Sequence, residues 1–329
     1  MIRIALDASG GDQAPEAPVS GALQAVQELS SGLEVTLVGR RAEIEALLQS
    51  HGSTPEGIKV VDAPETIGMA EQPLRAIRKK QQSSVVVGLG LHKRGEADAF
   101  VSAGNTGAVM AASTLLLGLH KGIERPAIGT VLPTGGDPVL VLDAGANVDC
   151  SPRELLGFAR LGAVYARDVL GRAEPTVGLL NIGQEDGKGN AAVREAHGLL
   201  RACGSFRFVG NVEGGDILRE KCDVFVCDGF VGNVVLKFYE SVGRMFAGLL
   251  QQELDGEMAQ RESVARLFRF LDYSSYGGAP LLGVRGVPVV CHGRSSARAF
   301  KNAIRLAVQA ATNHLSQDIG AELAHGAVA

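Results

Sequence analysis

Short apolar runs alternate along the chain with longer segments in which apolar residues recur every three or four positions. The runs are rich in β-branched residues, and several lack polar residues on either face, as in a sheet covered by helices on both sides. They predict strands at residues 2–6, 35–38, 59–61, 99–101, 139–142, 177–180, 224–227 and 287–291. The longer segments predict helices, among them 18–29, 42–49, 152–170 and 191–202. This alternation indicates βαβ units and therefore an α/β fold with a mostly parallel sheet.

One segment departs from this alternation. Two groups of apolar residues each fall on one helical face, at 242, 245, 246, 249 and 250 and at 264, 267, 268 and 271, with a polar stretch between them. We therefore interpret residues 1–329 as a single α/β catalytic domain in which residues 238–275 form a helical hairpin insertion for dimer contact, membrane contact or both. The tail after about Ser316 is rich in Ala and Gly, and we expect it to fray.

Composition narrows the class of protein. A chain of 329 residues with 46% hydrophobic content is long enough to bury a large core. A net charge of −4, 5% aromatic residues and no Trp argue against nucleic-acid binding. The amino terminus reads as a first strand instead of a secretion signal, and no apolar stretch is long enough to span a bilayer. Five cysteines without a CxxC pair indicate a reduced cytoplasmic protein and argue against a zinc site.

Glycine clusters directly after the predicted strands. Such loops occur at residues 10–11, 102–107, 143–147, 181–189, 228–233 and 292–293. Ligands bind at the carboxyl ends of strands in open α/β sheets, and glycine lets the backbone approach an anion closely. Neither a Walker loop with the correct spacing nor a GxGxxG motif after the first strand is present. The loops therefore favour a small phosphate over a dinucleotide, although any one of them is also compatible with a simple tight turn.

The polar residues of these loops suit attack of phosphate on a thioester. The phosphate must be held, the developing oxyanion needs hydrogen-bond donors, and the leaving thiolate needs a proton or a positive neighbour. Phosphate is itself the nucleophile, which agrees with the absence of the GxSxG motif of serine hydrolases. Lys188 is the best candidate for the cation, and the amide of Asn233 for the oxyanion donor.

Each candidate also has a purely structural interpretation. Lys188 can be an ordinary exposed lysine, and Asn233 can cap a helix, a role compatible with catalysis. Asn105 and Thr106 can donate hydrogen bonds to the ligand or cap a helix, and His292 can protonate the thiolate, bind phosphate or be structural. The predicted phosphate-binding or substrate-binding residues are Gly10, Gly11, Asn105, Thr106, Asn147, Gly183 and His292.

Acidic residues lie beside the same loops. Carboxylates repel phosphate unless they orient donors or bind a metal, and no ligand spacing points to a metal. We therefore interpret them as groups that hold the loops and lysines in place. They are Asp7, Asp12, Asp143, Glu185 and Asp228.

Seven segments in order along the chain carry a family resemblance: DASGGD at 7–12, SAGNTGA at 102–108, ERPAI at 124–128, DAGAN at 143–147, NIGQEDGKG at 181–189, CDGFVGN at 227–233 and YGGAPLLGVRGVPVVCHG at 276–293. With these segments the chain closely resembles the bacterial phosphate acyltransferases of phospholipid synthesis, the PlsX family of acyl-acyl-carrier-protein:phosphate acyltransferases. Two departures are Ser9, where the family usually has Met, and Glu71, where it usually has Asp. Neither removes a candidate catalytic group.

The resemblance implies a Rossmann-like three-layer α/β/α fold akin to phosphate acetyltransferases. It implies transfer of a long-chain acyl group from acyl-carrier protein to inorganic phosphate, with residues Lys188 and Asn233 as the catalytic pair and no metal or organic cofactor. It further implies a homodimer that attaches peripherally to the cytoplasmic membrane. The acyl phosphate would then be used by a separate membrane enzyme that acylates glycerol 3-phosphate.

Two surfaces are candidates for contacts with other molecules. The tip of the predicted hairpin, at Leu254 and Met258, is a candidate for insertion into the membrane interface, with core or dimer packing as the alternative. The basic residues Arg75, Arg78, Lys79 and Lys80 are candidates for docking the acidic acyl-carrier protein, with a solvated helix face as the alternative.

Two other functions remain open at this point. One is a short-chain phosphate acetyltransferase that acts on acyl-CoA. The other is a regulator without enzymatic activity that binds phosphate or a nucleotide on the same sheet. The regulator would bind phosphate but form no acyl phosphate, and it would give Lys188 and Asn233 no chemical task.

Overall fold

The computed structural model describes residues 1–29, 32–52, 54–253 and 277–325. The strands are β1 (Ile2–Asp7), β2 (Leu33–Gly39), β3 (Ile58–Asp62), β4 (Ala99–Ser102), β5 (Ala127–Leu132), β6 (Val139–Leu142), β7 (Thr176–Leu180), β8 (Arg207–Val212), β9 (Val224–Val226), β10 (Ala279–Leu282) and β11 (Pro288–Val290). The helices are α1 (Glu16–Leu29), α2 (Arg41–Ser50), α3 (Pro73–Lys79), α4 (Ser84–Lys93), α5 (Thr106–Leu116), α6 (Pro152–Asp168), α7 (Ala191–Ala202), α8 (Gly229–Glu253), α9 (Ala297–Thr312) and α10 (Leu315–His325).

The chain divides into two compact units. The first unit is formed by Met1–Pro126 with Tyr276–Ala329, and the second unit by Ala127–Ser275. The sequence predicts one catalytic domain over residues 1–329, and that interpretation stays a prediction.

The first unit contains a mostly parallel set of strands in the order β3-β2-β1-β4-β11-β10. Ile4 of β1 lies opposite Val35 of β2 on one side and Ala99 of β4 on the other, in parallel register. Only the β10–β11 pair among these is antiparallel. Helices α4 and α9 both pack against β1 and β4, and α1 packs along α9.

The second unit has the strand order β5-β6-β9-β7-β8. Its one antiparallel pair is β5–β6, and the other pairs are parallel. Helix α6 packs on β6, β7 and β9. It begins with a capping box, in which Ser151 accepts from the Glu154 N–H and the Glu154 carboxylate accepts from the Ser151 N–H.

Several strands are buried along their whole length. Every residue of β2 is buried, and the same holds for β4, β6 and β9. Because successive side chains of a strand point to opposite faces, complete burial requires cover on both faces. The three-layer α/β/α architecture with a mostly parallel sheet is therefore confirmed.

The carboxyl-terminal tail forms a packed helix. The tail was expected to fray after about Ser316, and this is wrong for residues 315–325. Residues Leu315, Ile319 and Leu323 are buried at a four-residue spacing, so α10 packs through one face.

Of the predicted hairpin 238–275, the first arm belongs to α8, which already begins at Gly229, and residues 254–275 lie outside the described residues. No helix in the described part of the chain has both the length and the apolar character needed to cross a membrane.

Candidate active site

Three loops of the second unit leave the carboxyl ends of neighbouring parallel strands. Residues 143–147 follow β6, residues 181–190 follow β7, and residues 227–228 lead from β9 into α8. The strand order β6-β9-β7 brings these ends to the same edge. This is the edge at which open α/β sheets bind ligands.

The first loop is organised by the carboxylate of Asp143, which is fully buried. Its Oδ1 accepts backbone N–H groups from Ile128, Gly145 and Ala146 at 3.0, 3.2 and 3.1 Å. Its Oδ2 accepts the backbone and side-chain N–H groups of Asn147 at 2.7 and 2.9 Å. Burial raises the pKa of the Asp143 carboxyl, and these hydrogen bonds oppose the increase. Asp143 thus holds the loop in one conformation, as the sequence analysis proposed for the acidic residues.

The start of α8 packs directly on this loop. Asp228 caps the helix by accepting the Val231 N–H at 2.8 Å. Residue 232 must be glycine here, because a Cβ atom at that position would lie 1.8 Å from the carbonyl oxygen of Asp143. The next residue, Asn233, places its side chain against Gly145, within 3.4–3.6 Å of where a Cβ atom of Gly145 would be. The Asn233 amide therefore lies over the first loop.

The second loop, which carries Lys188, is held by side chains that bind its backbone carbonyl groups. Asn181 Nδ2 donates to the Lys188 carbonyl at 3.1 Å. Asn211 Nδ2 donates to the Glu185 carbonyl at 2.8 Å, and Arg194 Nη1 donates to the Gly189 carbonyl at 2.7 Å. A salt bridge of 2.8 Å between Asp186 and Arg201 ties the same loop to α7.

The Lys188 side chain extends across Gly183. A Cβ atom at Gly183 would lie 3.2 Å from Lys188 Cγ, so the absence of a side chain there makes room for the lysine stem. The ammonium is 3.9 Å from Glu185 Oε1, and the two side chains are 49% and 72% exposed. An ion pair this long and exposed contributes little, so the ammonium stays available to an anion.

A cavity of about 200 Å³ lies among the loops after β7 and β9. Gly189 and Asn190, which directly follow Lys188, line it from one loop, and Asp228 and Val231 line it from the start of α8, which carries Asn233. The two candidate catalytic residues are thus carried by segments that border the same cavity.

Two buried or half-buried thiols, Cys227 and Cys150, lie beside this site. Burial raises the pKa of Cys150 to about 12 and that of Cys227 well above its ordinary value. Cys227 Sγ donates to the Asp143 carbonyl at 3.6 Å, and Cys150 Sγ donates to the Asn147 carbonyl at 3.6 Å. Because only the thiolate attacks, a covalent enzyme intermediate on either sulfur is disfavoured at neutral pH.

In the first unit, a buried aspartate, Asp7, lies at the end of β1. Asp7 accepts the Ser102 hydroxyl at 2.7 Å and the Ser9 N–H at 3.0 Å, and burial raises the pKa of its carboxyl. Gly10 packs against this carboxylate, since a Cβ atom there would lie 2.4 Å from Asp7 Oδ2. Gly11 has a φ of +103°, which side chains rarely adopt. The glycines 10 and 11 therefore have a conformational reason to be glycine that does not depend on a ligand.

Two asparagines predicted to bind phosphate use their side chains within the protein instead. Asn105 caps α5 by accepting the Ala108 N–H at 3.1 Å, and its Nδ2 faces the carbonyl oxygens of Gly68, Met69 and Glu71 at 3.0–3.2 Å. Asn147 is buried and donates to Asp143. The capping alternative holds for Asn105, and in this structure neither side chain offers its amide to a ligand. The reason is that suitable carbonyl and carboxylate acceptors lie within reach in the fold.

The remaining predicted residues of the first unit lie at the ends of elements. Thr106 is the first residue of α5. His292 is exposed, and its Nδ1 accepts the Arg294 N–H at 3.1 Å, which leaves the proton of a neutral ring on Nε2. The Asp12 N–H donates to the Gly293 carbonyl at 2.7 Å, so the loop after β1 contacts the loop after β11.

The predicted docking residues differ in their contacts. Arg75, Arg78 and Lys79 are exposed on and beside α3, and within the described residues no salt bridge involves them. Lys80 is half-buried and donates to Glu71 at 2.6 Å and to the Thr66 carbonyl at 2.7 Å. Lys80 therefore fixes the preceding loop, and the exposed part of the basic patch consists of the other three. The predicted membrane residues Leu254 and Met258 lie outside the described residues.

No group of three or more His, Cys, Asp or Glu side chains is placed to hold a metal ion in the portion of the chain that the structure describes. The side chains that hold the Lys188 loop were not among the functional residues predicted from the sequence. Asn181 could have been identified from the sequence, because it directly follows β7 and begins the Gly-rich NIGQEDGKG segment. Asn211 and Arg194 could not have been, since their contacts depend on the fold.

The chain is similar to known proteins over nearly its whole length. A family model described as "Fatty acid synthesis protein" matches residues 2–318. The phosphate acyltransferase of Nostoc punctiforme is 49% identical over 327 residues, which covers 97% of this chain and 95% of the relative. The phosphate acyltransferase of Desulforamulus reducens is 50% identical over 314 residues, which covers 93% of each chain.

Among solved structures, a phosphotransacetylase from Streptococcus pyogenes superimposes with a TM-score of 0.66 at 18% identity and covers 94% of each chain. A branched-chain phosphotransacylase from Enterococcus faecalis gives a TM-score of 0.61 at 14% identity, covering 94% of this chain and 99% of that one. At these identities the likeness shows the shared fold.

Proposed function

Because the chain belongs to the phosphate acyltransferase family of fatty acid synthesis proteins, we propose that it transfers a long-chain fatty-acyl group from acyl-carrier protein to inorganic phosphate. The observation that supports this proposal is the common cavity bordered by the loop of Lys188 and by the start of α8, which carries Asn233. The cation and the amide needed for phosphate attack on a thioester thus belong to neighbouring segments of the second unit.

In the proposed reaction, an oxygen of hydrogen phosphate attacks the thioester carbonyl carbon. The Lys188 ammonium binds the phosphate dianion, and the Asn233 amide donates to the oxyanion that forms on the carbonyl. The amino terminus of α8 places the positive end of the helix dipole near Asn233. When the intermediate collapses, the C–S bond breaks, the acyl phosphate leaves, and the proton of hydrogen phosphate ends on the thiol.

The direct test is to trap the product. The protein is incubated with palmitoyl-acyl-carrier protein and phosphate, and hydroxylamine converts any acyl phosphate to a hydroxamate. A reaction without phosphate gives the background from the thioester itself. Phosphate-dependent hydroxamate supports the proposal, and its absence rejects it. A parallel reaction with acetyl-CoA tests the short-chain alternative, which predicts faster turnover of acetyl-CoA.

The two proposed catalytic residues are tested in the same assay. Lys188→Ala and Asn233→Ala are each expected to lower kcat by about a hundredfold to a thousandfold, the range for loss of an oxyanion donor. Both side chains are exposed, so the free energy of unfolding should change little. Lys121→Ala and Asn313→Ala are the matched controls, and wild-type activity in the Lys188 and Asn233 variants would contradict the assignment.

Docking of acyl-carrier protein is proposed for the exposed basic patch of Arg75, Arg78 and Lys79. The three positive charges on one short helix complement an acidic partner. Exposed Leu74 on the same helix offers apolar contact area beside them.

A homodimer is proposed through the exposed face of α8. Five large apolar side chains there fall within one stripe, at Phe230, Val234, Phe238, Met245 and Leu249. An apolar stripe of this length on a long helix is typical of a protein interface. Phe238→Glu should shift the sedimentation coefficient to that of a monomer, and an unchanged value would reject this face.

Peripheral attachment to the membrane is proposed at Leu254 and Met258, which follow α8 directly in the sequence. Leu254→Glu should release the protein from anionic vesicles in a flotation assay while turnover in solution is kept, and unaltered binding would reject this site. A membrane-associated product would then reach the proposed next enzyme, an acyltransferase that uses acyl phosphate and glycerol 3-phosphate.

A further inference from the structure

The cavity beside Lys188 has a lining that phosphate does not need. Its wall consists of Leu155 from α6, Leu179 and Leu180 at the end of β7, and Val193 from α7. The three leucines are buried. Aliphatic side chains offer no hydrogen bonds, so an oxyanion placed against them would lose its hydration without compensation. The interior of the cavity therefore suits an apolar ligand.

The position of the cavity connects it to the proposed reaction. Gly189 lines it next to Lys188, and Val231 lines it two residues before Asn233. Ile182, another lining residue, is 83% exposed. Polar side chains also contribute to the lining, from Asn181, Asn190 and Asp228. A mostly apolar cavity with a few polar groups is the usual form of a site that orients a small molecule.

We propose that this cavity binds the part of the alkyl chain that adjoins the carbonyl of the acyl thioester. The rest of a long chain continues over exposed Ile182. This inference rests on the proposed function, because the acyl donor supplies the chain. Each methylene removed from water strengthens binding about fourfold. Affinity therefore rises with chain length until the cavity is filled, and then it levels off.

Val193→Phe tests the assignment, because the larger side chain occupies the cavity. Val193 is only partly buried, so the ring can be accommodated without repacking the core. The ligands are S-ethyl and S-dodecyl thioethers of pantetheine, which cannot react, and their binding is measured by calorimetry. Val148→Phe is the matched control, since Val148 is 64% exposed and does not line the cavity.

The wild-type protein and Val148→Phe are expected to bind the dodecyl compound at least about a hundredfold more tightly than the ethyl compound. Val193→Phe is expected to reduce this ratio to less than about tenfold, because it weakens dodecyl binding much more than ethyl binding. Val193→Ile, a smaller enlargement, is expected to give an intermediate ratio and keeps the test valid if the phenylalanine variant fails to fold.

An unchanged ratio in Val193→Phe and Val193→Ile, or equal binding of the two compounds by the wild-type protein, would overturn the assignment. These measurements require no turnover, so the two proposals fail separately. Length-dependent binding without phosphate-dependent hydroxamate rejects the proposed function and keeps the alkyl site. Normal hydroxamate formation by Val193→Phe with an unaltered chain-length profile rejects the alkyl site alone.

Discussion

The side-chain amide of Asn181 donates to the carbonyl oxygen of Lys188 over 3.1 Å. The residue that follows β7 thereby fixes the backbone from which the proposed catalytic lysine extends. Replacing Asn181 by Ala removes this restraint without touching the ammonium. Misplacement of a reacting group by about 1 Å can lower the rate about a hundredfold. We therefore expect Asn181→Ala to lower kcat by about tenfold to a hundredfold.

Steady-state kinetics with palmitoyl-acyl-carrier protein measure this effect. Asn313→Ala is the control, because it removes an exposed asparagine at the end of α9, which belongs to the first unit. If Asn181→Ala keeps the wild-type kcat, the hydrogen bond to Lys188 has no role in positioning the lysine.

The buried Asp7 carboxyl should make the stability of the protein depend on pH. Burial raises the pKa of this carboxyl in the folded protein, so the folded state holds the proton more tightly than the unfolded chain does. This contribution is fully present below the unfolded pKa of about 4. It is lost as the pH rises through the higher folded pKa. Asp7→Asn stays neutral and should not show this loss.

We therefore expect the free energy of unfolding of the wild-type protein, measured in urea, to fall relative to that of Asp7→Asn as the pH rises from about 4 to about 7. Asp149→Asn, at an exposed position, should instead follow the wild-type curve. Parallel curves for Asp7→Asn and the wild-type protein would show that Asp7 does not titrate in this range.

Two Gly→Ala substitutions should have opposite effects on stability, because one glycine lies in tight contact with the first loop and the other lies in open space. Gly232→Ala would place a Cβ atom 1.8 Å from the Asp143 carbonyl oxygen, so the helix must move. Overpacking of this kind costs about 1–3 kcal/mol, and the displacement of Asn233 should lower kcat as well. Gly198→Ala, within α7, meets no atom within 4 Å and should stabilise the protein by about 0.5–1 kcal/mol.

Urea denaturation and kinetics on both variants separate these outcomes. Gly232→Ala with wild-type stability and activity would mean that the close approach of α8 to residue 143 is not maintained in solution.

The basic patch on α3 predicts a change in KM that is specific for the protein substrate. Arg78→Glu combined with Lys79→Glu should raise the KM for palmitoyl-acyl-carrier protein by about tenfold or more, because complementary charges speed association. The KM for a small thioester such as palmitoyl-pantetheine should stay unchanged. Lys80 is left intact, since its reversal would break the salt bridge with Glu71.

Lys93→Glu combined with Lys121→Glu reverses two exposed charges elsewhere and serves as the control. An equal increase in KM for both substrates, or for both double variants, would argue against a docking site at Arg78 and Lys79.

The sequence predicted several elements from their periodicity, although the strongly amphipathic α9 was not among the helices named. Helix α7 was predicted at its observed bounds, 191–202, because its apolar residues keep to one face. Helix α4 was missed, since SVVVGLGLHK is buried around most of its circumference and shows no amphipathic pattern. Strand β5 was missed beside its antiparallel partner β6, although PTGGDP at residues 133–138 between them is a clear turn signal. The resemblance to the phosphate acyltransferase family is confirmed by relatives that are 49% and 50% identical.

The sequence predicted the loops of the site better than the tasks of individual side chains. Asn105 and Asn147 looked like ligand donors because they follow strands in Gly-rich loops. Their partners cannot be read locally, since Asn105 reaches carbonyl groups 34–37 residues earlier in the chain. The loop of Lys188 and the first turns of α8, which carry Asn233, border one cavity, and the catalytic roles of the two residues remain predictions.

The raised pKa values of Cys150 and Cys227 have a consequence for their oxidation and alkylation. A thiolate attacks peroxide and alkylating reagents much faster than the neutral thiol does, and burial raises the pKa of both thiols. Iodoacetamide at neutral pH should therefore leave both residues unmodified. An oxidant that inactivates the protein should then act at positions other than these two sulfurs.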